Sequence, residues 1–405
     1  MAIDELTTIR SDEFPNLLFV QLRSSEGAVG LGETFFGPLA VEAYLHETVA
    51  PILLGRDPFH IEDLNRRMTG YLGFTGGGVE NRGRSAVDIA LWDLIGKLTD
   101  RPVHDLLGGK VRDTARVYNT CAGYGYVRRP TGQRTDNWGL PTEDSGPIGP
   151  YEDLDAFMNR ADELAVSLLD MGVNAMKIWP FDVFAEANEG NYITNEQIDQ
   201  GLEPFRRVRD AVGDRMDIMV EFHGLWNLPS ALRICTALEE FEPFWYEDPI
   251  RSDGIESLTT LASHVRTPIT LSETLAGATS FRRMLSSEAP GIAMLDVGWV
   301  GGISEARRVA HVADTFQRPV APHDCTGPIV LTASTHLSVS LPNAMIQETV
   351  RAFYTSWYLD IVTALPTIVE GRITPHPGPG LGLELKPELL EDPGTHQRTS
   401  SRAGA

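Results

Sequence analysis

Acidic side chains recur between residues 221 and 273 of the chain, and each one closes a short apolar run. Glu221, Glu247 and Glu273 follow one another at intervals of 26 residues. Carboxylates that converge without compensating arginines repel one another, and a hard divalent cation with oxygen ligands relieves that repulsion. The pattern therefore predicts a Mg²⁺ site on these three residues, rather than three acids that each cap a strand or a helix.

The same spacing continues with residues suited to acid–base chemistry. Asp296, His323 and Glu348 follow at intervals of 23, 27 and 25 residues. If Asp296 and His323 end neighbouring strands, the carboxylate can hold one imidazole nitrogen while the other nitrogen acts as a base. His223 stands two residues after Glu221, on the same side of the strand. It is a candidate general acid, a candidate metal ligand, or a hydrogen-bond donor behind the metal ligands.

A lysine lies in the apolar stretch "NAMKIWPFD" at residues 174 to 182. The stretch has the composition of an inner strand, and Pro180 ends its hydrogen-bonding ladder. Lysine is seldom fully buried without a partner, so Lys177 is predicted to meet an anion.

These residues need an architecture that brings them to one place. Eight short β-rich runs, each followed by a helical stretch, begin at residues 115, 174, 217, 243, 269, 292, 318 and 344. Eight strands alternating with helices are typical of a (β/α)₈-type barrel, whose catalytic groups gather at the C-terminal ends of the strands. An open doubly wound sheet is the competing arrangement, but such sheets seldom run to eight strands with polar residues at most strand ends.

A chain of 405 residues is too long for one ordinary core, so two domains are expected. A strand pair near residues 17–34 and the helical pattern "RSAVDIALWDLIGKLTD" predict an α+β capping domain over residues 1–113. Residues 114–350 form the barrel, 351–391 pack back on the cap, and 392–405 are predicted to be a disordered tail. The Gly- and Pro-rich stretch 122–150 is predicted to be a functional or mobile loop.

Composition excludes several classes of function. A net charge of −22 disfavours nucleic acid and anionic membrane surfaces as partners. No apolar run approaches the roughly 18 residues that a membrane span needs. The acidic N-terminal stretch does not resemble a signal peptide, and three scattered cysteines favour a reducing cytoplasm. An anionic substrate would need a metal or a placed cation to overcome the field of the protein.

Several motifs together resemble the enolase superfamily, and specifically its mandelate racemase subgroup. They are "SAVDIALWDLIGK", "PVHDLLGGKVRD", "MKIW", "EFHG", "YEDP", "LSET", "MLDVGWVGGISEA", "APHDCTGPI" and "IQE". The resemblance runs from about Leu18 to Leu385 and is strongest to sugar-acid dehydratases such as galactonate dehydratase. It implies an α+β capping domain over a (β/α)₇β barrel that binds Mg²⁺ through Glu221, Glu247 and Glu273.

The resemblance also implies a reaction that begins with removal of the proton next to a carboxylate. His323, oriented by Asp296, is then the base, and Lys177 adds positive charge at the substrate carboxylate. Glu348 hydrogen-bonds the developing ene-diolate oxygen, which requires Glu348 to be protonated or to share a proton. His223 matches the position where the dehydratases keep the acid that protonates the leaving hydroxyl.

Two positions depart from the family pattern. Racemases carry a second lysine where this chain has Trp179, and an indole cannot accept a proton, so two-base racemisation through that motif is disfavoured. Glu221 stands where the family usually has aspartate, which is one methylene shorter.

The leading prediction is a Mg²⁺-dependent lyase that dehydrates an aldonate or aldarate to a 2-keto-3-deoxy acid. The alternatives are a one-base cycloisomerase or epimerase of the same superfamily, and a non-catalytic scaffold on the barrel. Specificity is expected from the cap, near Phe35, Phe36 and residues 71–84, and from the 122–150 insertion. The resemblance implies a symmetric homo-oligomer.

Overall fold

The computed structural model describes residues 1–69, 77–126, 128 and 149–402. Its N-terminal domain, the cap, has three consecutive antiparallel strands: β1 (Ile3–Ser11), β2 (Leu17–Ser24) and β3 (Val29–Phe35). The helices of the cap are α1 (Pro38–Tyr44), α2 (Ala50–Leu53), α3 (Ile61–Met68), α4 (Gly78–Thr99) and α5 (Val103–Leu106), with a π-helical segment Leu45–Val49 between α1 and α2. Gly30 and Gly32 of β3 let α4 approach closely, since an added Cβ at either would collide with the backbone of α4.

The second domain is a closed parallel barrel. Its strands are β4 (Ala115–Thr120), β5 (Ala175–Ile178), β6 (Asp217–Glu221), β7 (Trp245–Glu247), β8 (Ile269–Leu271), β9 (Pro290–Asp296), β10 (Val320–His323) and β11 (Gln347–Thr349). Neighbours pair in this order from β4 to β10, and β11 pairs with β4. A bridge between Val320 and Ala344 closes the ring beside β10. Each of the eight strands overlaps a run predicted from the sequence, although β9 begins two residues before its run.

Helices cover the outside of this ring. They are α6 (Asp153–Asn159), α7 (Ala161–Asp170), α8 (Asp182–Ala185), α9 (Asn195–Val212), α10 (Leu228–Leu238), α11 (Ile255–His264), α12 (Ala278–Leu285), α13 (Gly302–Thr315) and α14 (Pro328–Ser340). Each strand from β4 to β10 is followed by one or two of these helices, and β11 closes the ring on β4, so the unit is the predicted (β/α)₇β barrel. None of the helices in the described ranges is long and apolar enough to cross a membrane.

The barrel strands are apolar because both of their faces are covered. The inner face forms a small cluster inside the ring that includes Tyr118, Met219, Trp245 and Met294, all fully buried. The outer face packs against the surrounding helices in a much larger cluster. The remaining inward positions lie at the C-terminal ends of the strands and are occupied by polar side chains.

The chain after the barrel returns to the cap. It forms α15 (Arg351–Tyr354), α16 (Tyr358–Ile361), β12 (Thr367–Val369), β13 (Arg372–Thr374), α17 (Pro387–Glu391) and β14 (Thr395–Ser401). Buried Asp93 of α4 accepts hydrogen bonds from the backbone N–H groups of Leu31 at 2.8 Å and Leu381 at 2.7 Å. This carboxylate thereby joins the cap sheet, the long cap helix and the returning segment.

The end of the chain differs from the sequence prediction, which expected a disordered tail from residue 392. Strand β14 pairs along the edge of β1, from Glu5 opposite Ser401 to Ser11 opposite Thr395, and makes a fourth strand of the cap sheet. Backbone pairing with an open sheet edge requires no apolar side chains, so the polar composition of the tail concealed it. Within the 122–150 insertion, residues 127, 129–130 and 131–148 lie outside the described residues.

A buried histidine pair links the cap, the barrel and the returning segment. His336 of α14 lies 3.0 Å, Nδ1 to Nδ1, from His104 of α5, and its Nε2 lies 3.3 Å from the carbonyl of Leu381. Burial, and secondarily the neighbouring His104, lower the pKa of His336 to about 3. The folded protein therefore holds this imidazole neutral.

We expect this pair to make the fold sensitive to acid. The unfolded chain protonates His336 near its ordinary pKa of about 6.5, whereas the folded chain does not. The contribution to stability is complete above that pH and is lost as the pH falls toward the folded value of about 3. Urea unfolding curves measured over a pH series give the loss of unfolding free energy on acidification. This loss should be smaller in His336→Gln than in the parent by about 1 kcal/mol or more. Equal pH dependence in the two proteins would contradict this reading.

Candidate active site

The C-terminal mouth of the barrel collects the residues singled out from the sequence. Glu221 and Glu247 end β6 and β7 and lie opposite each other in the ladder, as do Asp296 and His323 at the ends of β9 and β10. The other members are Lys177 in β5, His223 just after β6, Glu273 just after β8 and Glu348 in β11. All of them except His223 are buried.

Lys177 is the central cation of this mouth. Its Nζ lies 2.6 Å from Glu247 Oε1, 3.1 Å from Glu348 Oε1 and 3.3 Å from Glu221 Oε2. Burial by itself lowers the pKa of Lys177, but Glu247 and Glu348 outweigh burial and hold the pKa well above its usual range. The lysine is therefore charged and contacts three carboxylates.

Two of the predicted metal ligands are held firmly by other groups. Glu221 Oε1 accepts hydrogen bonds from the backbone N–H groups of Phe222 at 2.9 Å and His223 at 2.7 Å. Glu247 Oε2 accepts one from the indole Nε1 of Trp245 at 3.0 Å. Burial and the nearby Glu221 raise the pKa of Glu247 well above its usual range. Their proximity thus disfavours ionisation of both acids unless a cation lies beside them.

A fourth acid joins the metal-ligand candidates. Asp248 follows Glu247 and accepts a hydrogen bond at 2.7 Å from the hydroxyl of Ser272. Burial and Glu273 raise the pKa of Asp248 well above its usual range. Asp248 Oδ1 and Glu273 Oε2 are buried and have no hydrogen-bond partner among the described residues. The sequence contained a signal for Asp248, since "YEDP" carries two successive acids, Glu247 at the end of β7 and Asp248 directly after it.

The donor set fits a hard divalent cation. It consists of carboxylate oxygens only, it includes two buried oxygens without partners, and Lys177 is its one close cation among the described residues. As the side chains stand in the described part of the chain, no three His, Cys, Asp or Glu are arranged around a common metal position. Lys177 lies between Glu221 and Glu247 and takes the role of their counter-ion.

The first histidine of the site is bound to a buried aspartate. His323 Nδ1 donates to Asp296 Oδ2 at 2.7 Å, and Asp296 Oδ1 accepts from the backbone of Gly298 at 2.7 Å. His323 Nε2 lies 3.7 Å from Glu348 Oε2. Burial lowers the pKa of His323, but Glu348 and Asp296 more than compensate and raise it to about 10. The carboxylates around His323 therefore make it a strong base once its Nε2 proton has left.

Glu348 is ionised in this arrangement. Its Oε2 accepts a hydrogen bond from the backbone N–H of Asp324 at 2.9 Å, and its Oε1 accepts one from the hydroxyl of Thr120. Burial raises the pKa of Glu348, yet Lys177 and His323 outweigh it and lower the pKa to about 2. The role inferred from the sequence requires a protonated or proton-sharing Glu348, whereas these contacts favour its carboxylate form.

The second histidine also has an aspartate partner, which the sequence analysis did not identify. His223 Nδ1 donates to Asp182 Oδ2 at 2.6 Å, and its ring lies edge-on to Trp179 at 5.8 Å between centroids. Burial lowers the pKa of His223, but Glu221 and Asp182 reverse the effect and raise it to about 9. Asp182 comes from α8, in the connection after β5, and no spacing rule links it to a residue that follows the next strand, β6.

The two histidine–aspartate pairs face one another across the mouth. His223 follows β6 and His323 ends β10, four strands apart in an eight-stranded ring, which places them on opposite sides. Both line a cavity of about 1300 Å³ together with Lys177, Glu221, Glu273 and Glu348. The cap closes the cavity from above, with Phe36 and Arg82 in its lining.

Comparison with known proteins places this geometry in a family. The family model described as "Mandelate racemase / muconate lactonizing enzyme, N-terminal domain" matches residues 6–108, and "Enolase C-terminal domain-like" matches residues 160–389. The chain is 30% identical to the D-xylonate dehydratase of Haloferax volcanii over 96% of this chain and 87% of that relative. It is also 30% identical to the D-galactonate dehydratase of Ralstonia nicotianae over 96% and 94% of the two chains.

Solved structures give the same result. A mandelate racemase subgroup enolase from Agrobacterium tumefaciens is 47% identical over 100% of both chains, with a TM-score of 0.87. An enolase from Sargasso Sea environmental sequence is 41% identical over 99% of both chains, with a TM-score of 0.87. With both of its domains matched, the chain belongs to the mandelate racemase/muconate lactonizing enzyme family of the enolase superfamily.

Proposed function

We propose that the protein is a Mg²⁺-dependent dehydratase that converts a hydroxylated acid sugar into a 2-keto-3-deoxy acid. The observation that carries this proposal is the pair of histidine–aspartate couples on opposite sides of one cavity. Dehydration needs a base for the proton next to the carboxylate and an acid for the departing hydroxyl. Two oriented histidines can supply both.

Each of three residues in the mouth has its own role in the proposed reaction. Lys177 offers positive charge to the substrate carboxylate and to the ene-diolate that develops from it. His323, held by Asp296, removes the α-proton through Nε2. His223, held by Asp182, protonates the leaving hydroxyl on the other side of the mouth. The product then ketonises to the 2-keto acid.

The metal would be held by Glu221, Glu247 and Glu273, with Asp248 beside them. When bound, a divalent cation such as Mg²⁺ supplies Lewis-acid stabilisation of charge on the substrate carboxylate. The names of the relatives, D-xylonate and D-galactonate dehydratases, support a sugar acid as the substrate class.

Epimerisation is the second candidate, and the same two histidines favour it. An acid placed across the mouth from a base could return a proton to the α-carbon from the other face. Trp179 at the end of β5 cannot perform this step, so His223 is the group available to an epimerase. The two candidates differ in product, since only dehydration gives a keto acid.

The proposal predicts a strict requirement for the metal. Chelation with EDTA should abolish activity, and Mg²⁺ should restore it. Glu247→Gln should weaken Mg²⁺ binding, measured by calorimetry on the stripped protein, at least about tenfold, because it removes one anionic ligand of a hard cation. Glu256→Gln, on an exposed position of α11, is the matched control and should bind Mg²⁺ like the parent. Full activity of the stripped protein would rule out the metal site.

A screen of acid sugars tests the proposal as a whole. Aldonates and aldarates of differing configuration would be incubated with the protein and Mg²⁺, and keto-acid formation would be followed. We expect turnover of a small subset that shares one configuration at the second and third carbons. Absence of keto acid across a complete set of configurations would reject the dehydratase.

A further inference from the structure

An arginine of the cap enters the cavity near the catalytic base. Arg82 lies in the second turn of α4 and lines the cavity. Its Cζ is 5.9 Å from the ring centroid of Phe36 and 5.8 Å from that of Trp299. The two aromatic rings are themselves stacked at 5.9 Å. Stacking of this kind orients a planar guanidinium and leaves its edge free for hydrogen bonds.

Arg82 makes no ion pair with any described residue, unlike three other cations of the cavity lining. Lys177 meets three carboxylates, Arg66 lies 3.4 Å from Asp63, and Arg308 lies 2.6 Å from Glu305. Arg84, which also lines the cavity, instead donates to the side chain of Asn81 at 3.3 Å. No hydrogen bond or ion pair joins Arg82 to any described residue, and its Nε is buried without a partner. In a chain with 56 acidic and 34 basic residues, an arginine that lines a cavity and is not paired with an acid is unexpected. Burying such a donor unpaired is unfavourable, so a ligand is the natural partner.

The position of Arg82 matches the far end of a substrate. Trp299 lies 5.5 Å from the ring of His323 and 5.8 Å from the guanidinium, so a single indole separates the arginine from the base. The first carboxylate of the substrate belongs at Lys177, and its α-carbon belongs at His323. The rest of the sugar chain then extends toward the cap, where Arg82 lines the same cavity.

We propose that Arg82 binds a second carboxylate at the distal end of the substrate, which makes the substrate an aldarate rather than an aldonate. A guanidinium recognises a carboxylate through two parallel hydrogen bonds, whereas a terminal hydroxymethyl group offers one weaker acceptor. The inference rests on the proposed dehydratase function and narrows its substrate class. It also separates this chain from its relatives named for D-xylonate and D-galactonate, which carry one carboxylate each.

The test uses pairs of compounds that differ only at the last carbon, such as galactarate with galactonate and glucarate with gluconate. For the pair with the correct configuration, wild type should show at least about tenfold higher kcat/KM with the diacid. Arg82→Met should lower kcat/KM for the diacid by about 10- to 100-fold, mainly through KM, because it removes a charge-assisted contact. The same variant should change kcat/KM for the monoacid by less than about threefold.

Two further variants test whether the diacid preference comes from the shape of the Arg82 side chain or only from its charge. Arg82→Lys keeps the charge but loses the planar fork, so it should fall between wild type and Arg82→Met. Arg67→Gln, an exposed arginine of α3 paired with Asp63 at 2.6 Å, changes net charge by the same amount and should leave the diacid preference intact. Melting temperatures of all variants check the fold, and calorimetry with the diacid in Mg²⁺ measures binding without turnover.

The outcomes distinguish this inference from the proposed function. Keto acid from monoacids alone, or an equal loss for both compounds in Arg82→Met and Arg82→Lys, would overturn the role of Arg82 while leaving a dehydratase. Diacid binding that depends on Arg82 without any keto acid would support the role of Arg82 and reject the dehydratase.

Discussion

Replacing His323 by asparagine is expected to stop both formation of the keto acid and exchange of the α-hydrogen with D₂O. Both processes begin with removal of the same proton, and His323 Nε2 is the base that Asp296 orients across a 2.7 Å hydrogen bond. General base catalysis contributes about 10²- to 10⁴-fold, so both rates should fall by that amount. Product assays and NMR measurement of deuterium at the α-carbon give the two rates separately.

Two variants complete this experiment. Asp296→Asn should also reduce both rates, and it should move the rise of kcat/KM with pH to lower pH, because loss of the carboxylate lowers the pKa of His323. His311→Asn, at an exposed position on α13, is the matched histidine control and should match wild type. Exchange that persists in His323→Asn would assign the base to another residue.

Replacing His223 by asparagine is expected to separate the two processes. Dehydration should fall by about 10²- to 10⁴-fold, since no group remains to protonate the departing hydroxyl. Exchange of the α-hydrogen should remain measurable, because Lys177, His323 and Asp296 keep their contacts. Asp182→Asn should act in the same direction with a smaller loss, since Asp182 positions His223 and does not touch the substrate.

A different result would assign another role to His223. The backbone N–H of His223 donates to Glu221, so a substitution there could disturb a metal ligand instead of an acid. In that case dehydration and exchange would slow together, and Mg²⁺ affinity measured by calorimetry would fall. Parallel slowing with intact Mg²⁺ binding would instead favour an epimerase in which both histidines act on the α-carbon.

Much of the fold could be predicted from the sequence because barrel strands carry two local signals. Each strand is buried on both faces and so reads as a short apolar run, and each βα unit has a similar length. Glu221, Glu247, Asp296 and His323 follow from those signals, since residues that end parallel strands share one edge. Their convergence required no knowledge of side-chain contacts.

The remaining features depend on contacts that no local pattern encodes. Asp182 reaches His223 from the connection after another strand, and Arg82 enters the cavity only because the cap docks over the barrel. That docking is fixed by Asp88 of α4, whose carboxylate accepts hydrogen bonds from the hydroxyl of Ser304 at 2.6 Å and its backbone N–H at 2.9 Å. The tail strand β14 depends on the open edge of β1. In each case the partner lies far away in the sequence.

The most direct test of the central claim is the product formed from an acid sugar in D₂O with Mg²⁺ present. The substrate found by screening would be incubated to completion, and NMR would identify the products and the position of deuterium. A dehydratase gives a 2-keto-3-deoxy acid, with a solvent deuteron at the third carbon from ketonisation. Recovery of a deuterated acid sugar or its epimer, with no keto acid at any time, would contradict the account.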